Sequence, residues 1–197
     1  MSMSPYLHFY VNLRKDKEYV RKYFPLFRKI LGKKNFENML KTYGKARNLK
    51  IMRKEMERIE ERWRGVKKKF FDRVEEKFGK WNRKKYFCHV SSTYLCGGGY
   101  EYPTIIIFPF SKHLDPLKTI MHELLHLHLI EDVKRFDLKP KKWIEFSEIA
   151  VGFMSKKLKL PLFFPNKKIE KKFKRMEKGW KRKPEWKKIL TQIEKHI

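Results

Sequence analysis

Cysteine is nearly missing from this chain: Cys88 and Cys96 are the only two. Two cysteines cannot build a disulfide framework. On one straight strand, eight residues at about 3.3 Å each would hold them roughly 26 Å apart, far beyond bridging distance. Glutamine occurs once, at Gln192, and asparagine is sparse. No run of about 20 apolar residues exists, so no membrane-spanning helix is expected. The opening MSMSPYLHFY has no basic stretch followed by an apolar one, so no signal peptide is expected either. A reduced, cytoplasmic setting follows as the expectation. Acidic residues are outnumbered: 22 Asp and Glu face 50 Lys and Arg, giving a formal net charge of +28.

What is present is enough for a core. The chain has 197 residues, of which 41% are apolar and 15% aromatic, which excludes a disordered polymer. A charge of +28 attracts polyanions, so nucleic acid is a legitimate partner. Lys-rich, Gln-poor composition also resembles that of hyperthermophile proteins. One reading of the chain is therefore a basic nucleic-acid-binding protein. The other comes from its motifs.

Leu7, Phe9 and Val11 alternate with Tyr6, His8 and Tyr10, predicting a short strand. From about Ala46 to Phe78 the spacing is helical. Met52, Met56, Ile59, Trp63, Val66 and Phe70 form a 4-3-4-3-4 stripe that suits packing on the rest of the same domain. Residues Tyr86–Cys96 and Tyr102–Phe110 read as strands, with Gly97-Gly98-Gly99 between them as a hairpin or loop. Thr104–Phe108 is apolar without alternation, predicting cover on both faces.

The most unusual stretch is IMHELLHLH, residues 120–128. Asp115-Pro116 is a good helix start, with Asp115 as N-cap and Pro116 at N1. On a helix, His122 and His126 are about 40° and one turn apart, so both imidazoles can address one ion. Glu123 is rotated by about 100° beside them. Burying three such groups without partners would cost several kcal/mol, about what a bound cation offsets. The H-E-x-x-H spacing is that of zinc peptidases, in which the glutamate is a general base and not a ligand. His128 points to the other side and is expected to pack.

The residues after His126 do not continue as H-x-x-G-x-x-H, so a third ligand must come from elsewhere. A second helix beginning near Pro140 carries WIEFSEIAVGFM, nearly apolar all round, with Glu145 and Glu148. This pair of helices resembles the gluzincins, and the small minigluzincins in particular, over about residues 86–158. That resemblance implies a glutamate ligand on the second helix. Glu145 leaves 18 residues after His126 and Glu148 leaves 21. The surroundings Ser147-Glu148-Ile149-Ala150-Val151 favour Glu148, with Glu145 as the alternative. Where the family often has an aspartate that steadies the first histidine, this chain has Gly152. The resemblance also implies an edge strand that holds an extended peptide, from Tyr86–Cys96 or Gly98–Thr104. A Tyr or His that stabilises the transition state is expected too, with Tyr94, Tyr100, Tyr102, His89 and His113 available.

From Pro161 onward the chain is very basic. Ile169, Phe173, Met176 and Trp180, then Trp186, Ile189, Leu190 and Ile193, keep helical spacing. They predict two amphipathic helices that dock with solvated Lys faces, cover the cleft of a latent enzyme, or bind phosphates. The expected fold is α+β: a small mixed sheet, an active-site helix, a glutamate helix and further helices at both ends. Its expected organisation is 1–85 as N-terminal strand and long helices, 86–160 as peptidase core and 161–197 as basic extension, in one compact unit. The expected function is hydrolysis of peptide or unfolded protein by one Zn2+ held by His122, His126 and Glu148, with Glu123 catalytic.

Overall fold

The computed structural model describes residues 5–18, 37, 48–92, 98–109, 114–133, 138–179 and 185–197, without the side chains of 131–133, 140 and 141. The fold is mixed α+β. Strands β1 (Tyr6–Tyr10), β2 (Lys85–Val90), β3 (Gly98–Glu101) and β4 (Thr104–Ile107) form one sheet in the order β1-β2-β4-β3. Helices are α1 (Leu49–Phe78), α2 (Pro116–Val133), α3 (Pro140–Leu158), α4 (Lys167–Gly179) and α5 (Trp186–His196). Contacts group the chain into two units: 1–69 with 83–123, and 70–82 with 124–197. Two of the three borders, 69/70 and 123/124, fall inside helices α1 and α2, and the third, 82/83, falls between α1 and β2.

In the first unit, β1 pairs with β2 and β2 with β4, both in parallel, whereas β3 returns antiparallel to β4. The glycine stretch therefore does not join β2 to β4 as a hairpin, because parallel neighbours need a longer crossover. Gly98 and Gly99 instead belong to β3, and the tight turn comes after it, at Tyr102-Pro103. The edge on this side of the sheet is Gly98–Glu101, while the expected edge candidate Tyr86–Cys96 starts as the interior strand β2.

Strand periodicity sets the two faces. Leu7, Phe9, Tyr86, Cys88, Val90, Ile105 and Ile107 are buried on one of them. The other face of β4 is only half-buried at Thr104 and Ile106, so the strand is not covered equally on both sides as its unbroken apolar run suggested. Apolarity alone cannot tell a fully enclosed strand from one with a partly wet face.

Helix α1 follows the predicted stripe: Met52, Ile59, Trp63, Phe70 and Val74 are buried, with Met56 and Val66 half-buried. Each fully buried large side chain contributes about 1.5–3 kcal/mol toward holding this 30-residue helix, whose other face is charged.

In the second unit, α4 buries Ile169, Phe173 and Met176, and α5 buries Trp186, Ile189, Leu190 and Ile193. Both pack against α3. Trp180 lies outside the described residues. Among the described residues no helix is long and apolar enough to cross a membrane.

Candidate metal centre

Helix α2 begins where the sequence places it. Leu117 N donates to Asp115 Oδ1 at 3.0 Å, which caps the first turn. Arg62 Nη2 holds the same carboxylate at 3.1 and 3.2 Å, tying the cap to α1 inside the first unit. With the start fixed, helical phase determines which way every later side chain leaves the axis. Leu124, Leu125, Leu127 and Leu129 are buried, and so are Glu123, His126 and His128.

His122 and His126 lie one turn apart on this helix. One ligand atom from each, together with a carboxylate oxygen of Glu148 on α3, falls within 4.8 Å of the others. His126 Nε2 and Glu148 Oε1 are 3.6 Å apart, close to the roughly 3.4 Å between two tetrahedral ligands each about 2.1 Å from one ion. Glu145, one turn earlier on α3, faces elsewhere and pairs with Lys172 Nζ at 2.5 Å. Nothing local distinguishes the two glutamates strongly; the phase of α3 does.

Protonation of the cluster suits a cation. Burial lowers His122 to a pKa of about 4, so its imidazole is neutral and able to donate a lone pair. Burial raises Glu148 to about 7. A positive ion between them would reverse that second effect by favouring the carboxylate. A donor set of two imidazoles and one carboxylate fits zinc in a site with a fourth position left for substrate or water. The sequence and this convergence support a metal-binding group.

Glu123 is 7% exposed and sits against the edge strand. A Cβ at Gly98 would come 2.9 Å from Glu123 Oε1 and 2.4 Å from Thr119 Cγ2. This close approach is the feature that sequence reading missed. Its only linear signal was the Gly triplet, which reads equally well as a turn.

The remaining sequence candidates separate by position. His128 packs edge-on against Trp81, ring centroids 4.7 Å apart, as its helical phase required. His89 stacks on Tyr10 and approaches Asp16 Oδ1 at 3.2 Å, on the sheet face that carries Ile106 and not the face that carries Ile107 and Gly98. Tyr102 accepts a hydrogen bond on its hydroxyl from Arg83 Nε at 3.1 Å. Tyr100, two residues after Gly98, shares that strand face by periodicity. Tyr94 and His113 lie outside the described residues. Gly152, at the position of the family's usual aspartate, is crowded: a Cβ there would lie 3.0–3.1 Å from the rings of Phe164 and Phe173. That packing leaves no room for a longer side chain. No protein-family model, curated protein or solved structure matches this chain.

Proposed function

We propose that this chain is a zinc-dependent peptidase of the gluzincin type, with His122, His126 and Glu148 as metal ligands and Glu123 as general base. One observation carries the reading: two imidazoles of an H-E-x-x-H helix and a carboxylate from the next helix converge on one point. When bound there, zinc supplies Lewis acidity, lowering the pKa of a water ligand to about 7 and polarising a carbonyl.

The chain's own residues supply the rest. The helix holds His122 and His126 in phase, and burial keeps the His122 imidazole neutral. Glu148 contributes a negative charge. Glu123, one residue after the first ligand, accepts a proton from the attacking water and returns it to the leaving amine. Its burial keeps bulk water from competing for that proton.

The test has two parts. Purified protein should hold about one zinc per chain, and the zinc-loaded protein should cleave an unfolded protein substrate. Glu123→Gln should keep the zinc and lose about 100- to 10,000-fold in kcat. Undiminished cleavage by that variant would falsify the general-base assignment, and the absence of any metal uptake would remove the peptidase reading altogether.

A further inference from the structure

We propose that Gly98 is a positioning residue for Glu123: its missing side chain lets the edge strand serve as a backstop that fixes the carboxylate's rotamer. This inference rests on the peptidase reading above.

The geometry is specific. Gly98 opens β3, and glycine within a strand packs nothing and loses more backbone entropy than other residues on folding. A strand glycine usually marks a place where something approaches closely. At Gly98 that something is the pair Thr119 and Glu123, which occupy consecutive turns of one face of α2. A Cβ would lie 2.4 Å from Thr119 Cγ2, 2.9 Å from Glu123 Oε1 and 3.3 Å from Glu123 Cγ. The first two distances are below any tolerated contact, so strand or side chain would have to move.

Thr119 has little freedom to yield. It is buried, and its hydroxyl donates to Asp115 O at 3.3 Å. Glu123 can yield only by changing rotamer, because its Cα is fixed in the middle of α2. Strand β3 is itself held, paired to β4 with Gly98 opposite Ile107, and Ile107 is fully buried. The side chain at residue 98 is thus the part of the edge that decides whether Glu123 keeps its rotamer. Displacement of a catalytic group by about 1 Å is enough to lose about 100-fold in rate.

Gly98→Ala is therefore expected to lower kcat by about 10- to 100-fold while KM stays within about twofold and zinc stoichiometry is unchanged. Gly98→Ala/Thr119→Ser removes the tightest collision and keeps the one with Glu123, so it tests the same point in a protein that has room to fold. Its kcat should remain at least about 10-fold low. Wild-type kcat in either variant would overturn the proposal, and wild-type kcat in the double variant would assign the loss to Thr119 instead.

A readout independent of activity comes from thermal unfolding of metal-free protein. With the Thr119 collision removed by Thr119→Ser in both backgrounds, Glu123→Ala takes away the remaining offending atoms, so Gly98→Ala should lower the midpoint by less than half as much with Glu123→Ala as without it. Equal drops in both backgrounds would also overturn the proposal. Failure of the peptidase reading itself looks different: Glu123→Gln would then be as active as the wild type, whatever happens at Gly98.

Discussion

Among the described residues, Asp16 with His89 and Glu148 with His126 form two histidine–carboxylate pairs, and they are built for opposite ends. In one, Asp16 meets His89 at 3.2 Å. Ser91 Oγ donates to its Oδ1 at 2.7 Å, and Ser92 donates to its Oδ2 from both Oγ, at 2.6 Å, and N, at 2.9 Å. Burial alone would raise the Asp16 pKa, yet the hydrogen bonds from His89, Ser92 and Ser91 together hold it below the usual aspartate value. In the other, Glu148 stands 3.6 Å from His126, and burial prevails, pushing it up to about 7. The carboxylate of the first pair is satisfied by protein donors and ties the helical turn over 13–18 to the end of β2. In the second, burial outweighs the other influences on the carboxylate, and a positive charge placed there would favour its ionised form. A buried His–carboxylate contact is thus no sign of a metal site by itself; what matters is whether neighbouring donors have already satisfied the charge.

That contrast predicts different responses to the same chemistry. The largest effect is expected for the ligands themselves. His126→Ala or Glu148→Ala should weaken zinc at least about 100-fold, since even outer supporting residues are worth 10- to 100-fold. Asp16→Asn should leave zinc content, measured by metal analysis after gel filtration, at the wild-type level. Loss of zinc in Asp16→Asn would break the comparison.

Next in size is the pH dependence of the metal-free protein. The folded-state pKa of Glu148, about 7, lies above its ordinary 4.5. Its contribution to stability is therefore full below pH 4.5 and is lost as pH rises to about 7, for a cost of about 3 kcal/mol at pH 8. His122, lowered from 6.5 to about 4, acts in the opposite direction: its contribution is full above pH 6.5 and is lost as pH falls toward 4. Denaturant titrations without metal should show Glu148→Gln gaining on wild type above pH 7 and losing that advantage below pH 4.5. A constant difference across that range would refute the assigned shift. Zinc should remove the dependence, because it binds the carboxylate and the neutral imidazole.

Asp16→Asn comes third. It exchanges an ionised acceptor of several buried hydrogen bonds for an amide, which should cost about 2–3 kcal/mol in a denaturant titration at pH 7. The sign of its pH dependence is opposite to that of Glu148: the stability Asp16 provides is present above the ordinary aspartate range and lost in acid. The smallest effect is expected at Glu145. Lys172→Ala removes its partner in a partly exposed pair, for under about 1 kcal/mol and no change in bound zinc. Zinc retained by Glu148→Ala but lost on adding Glu145→Ala would show that the two glutamates exchange roles.

Much of this was legible from residue order, wherever the controlling interactions are local. The α1 stripe, the Asp115-Pro116 start, the common face of His122 and His126 and the opposite face of His128 all follow from a 3.6-residue period acting within one element. Strand β1 and the buried stripes of α4 and α5 are of the same kind. Less was legible where pairing is long-range. The Gly triplet suggested a hairpin because two apolar runs flank it, but strand order depends on contacts between segments far apart in the chain. Thr104–Ile107 suggested two covered faces, because apolarity does not report what lies opposite.

The spacing of residues 120–128 alone determined that two imidazoles and a carboxylate would crowd one stretch of helix, since a helix converts sequence separation directly into angle and rise. Only tertiary structure decided that Glu148 and not Glu145 completes the group, that Gly98–Glu101 forms the sheet edge, and that this edge reaches Glu123 without an intervening side chain. Those outcomes depend on how separate elements are rotated and paired against one another, a property carried by the packing of the chain as a whole.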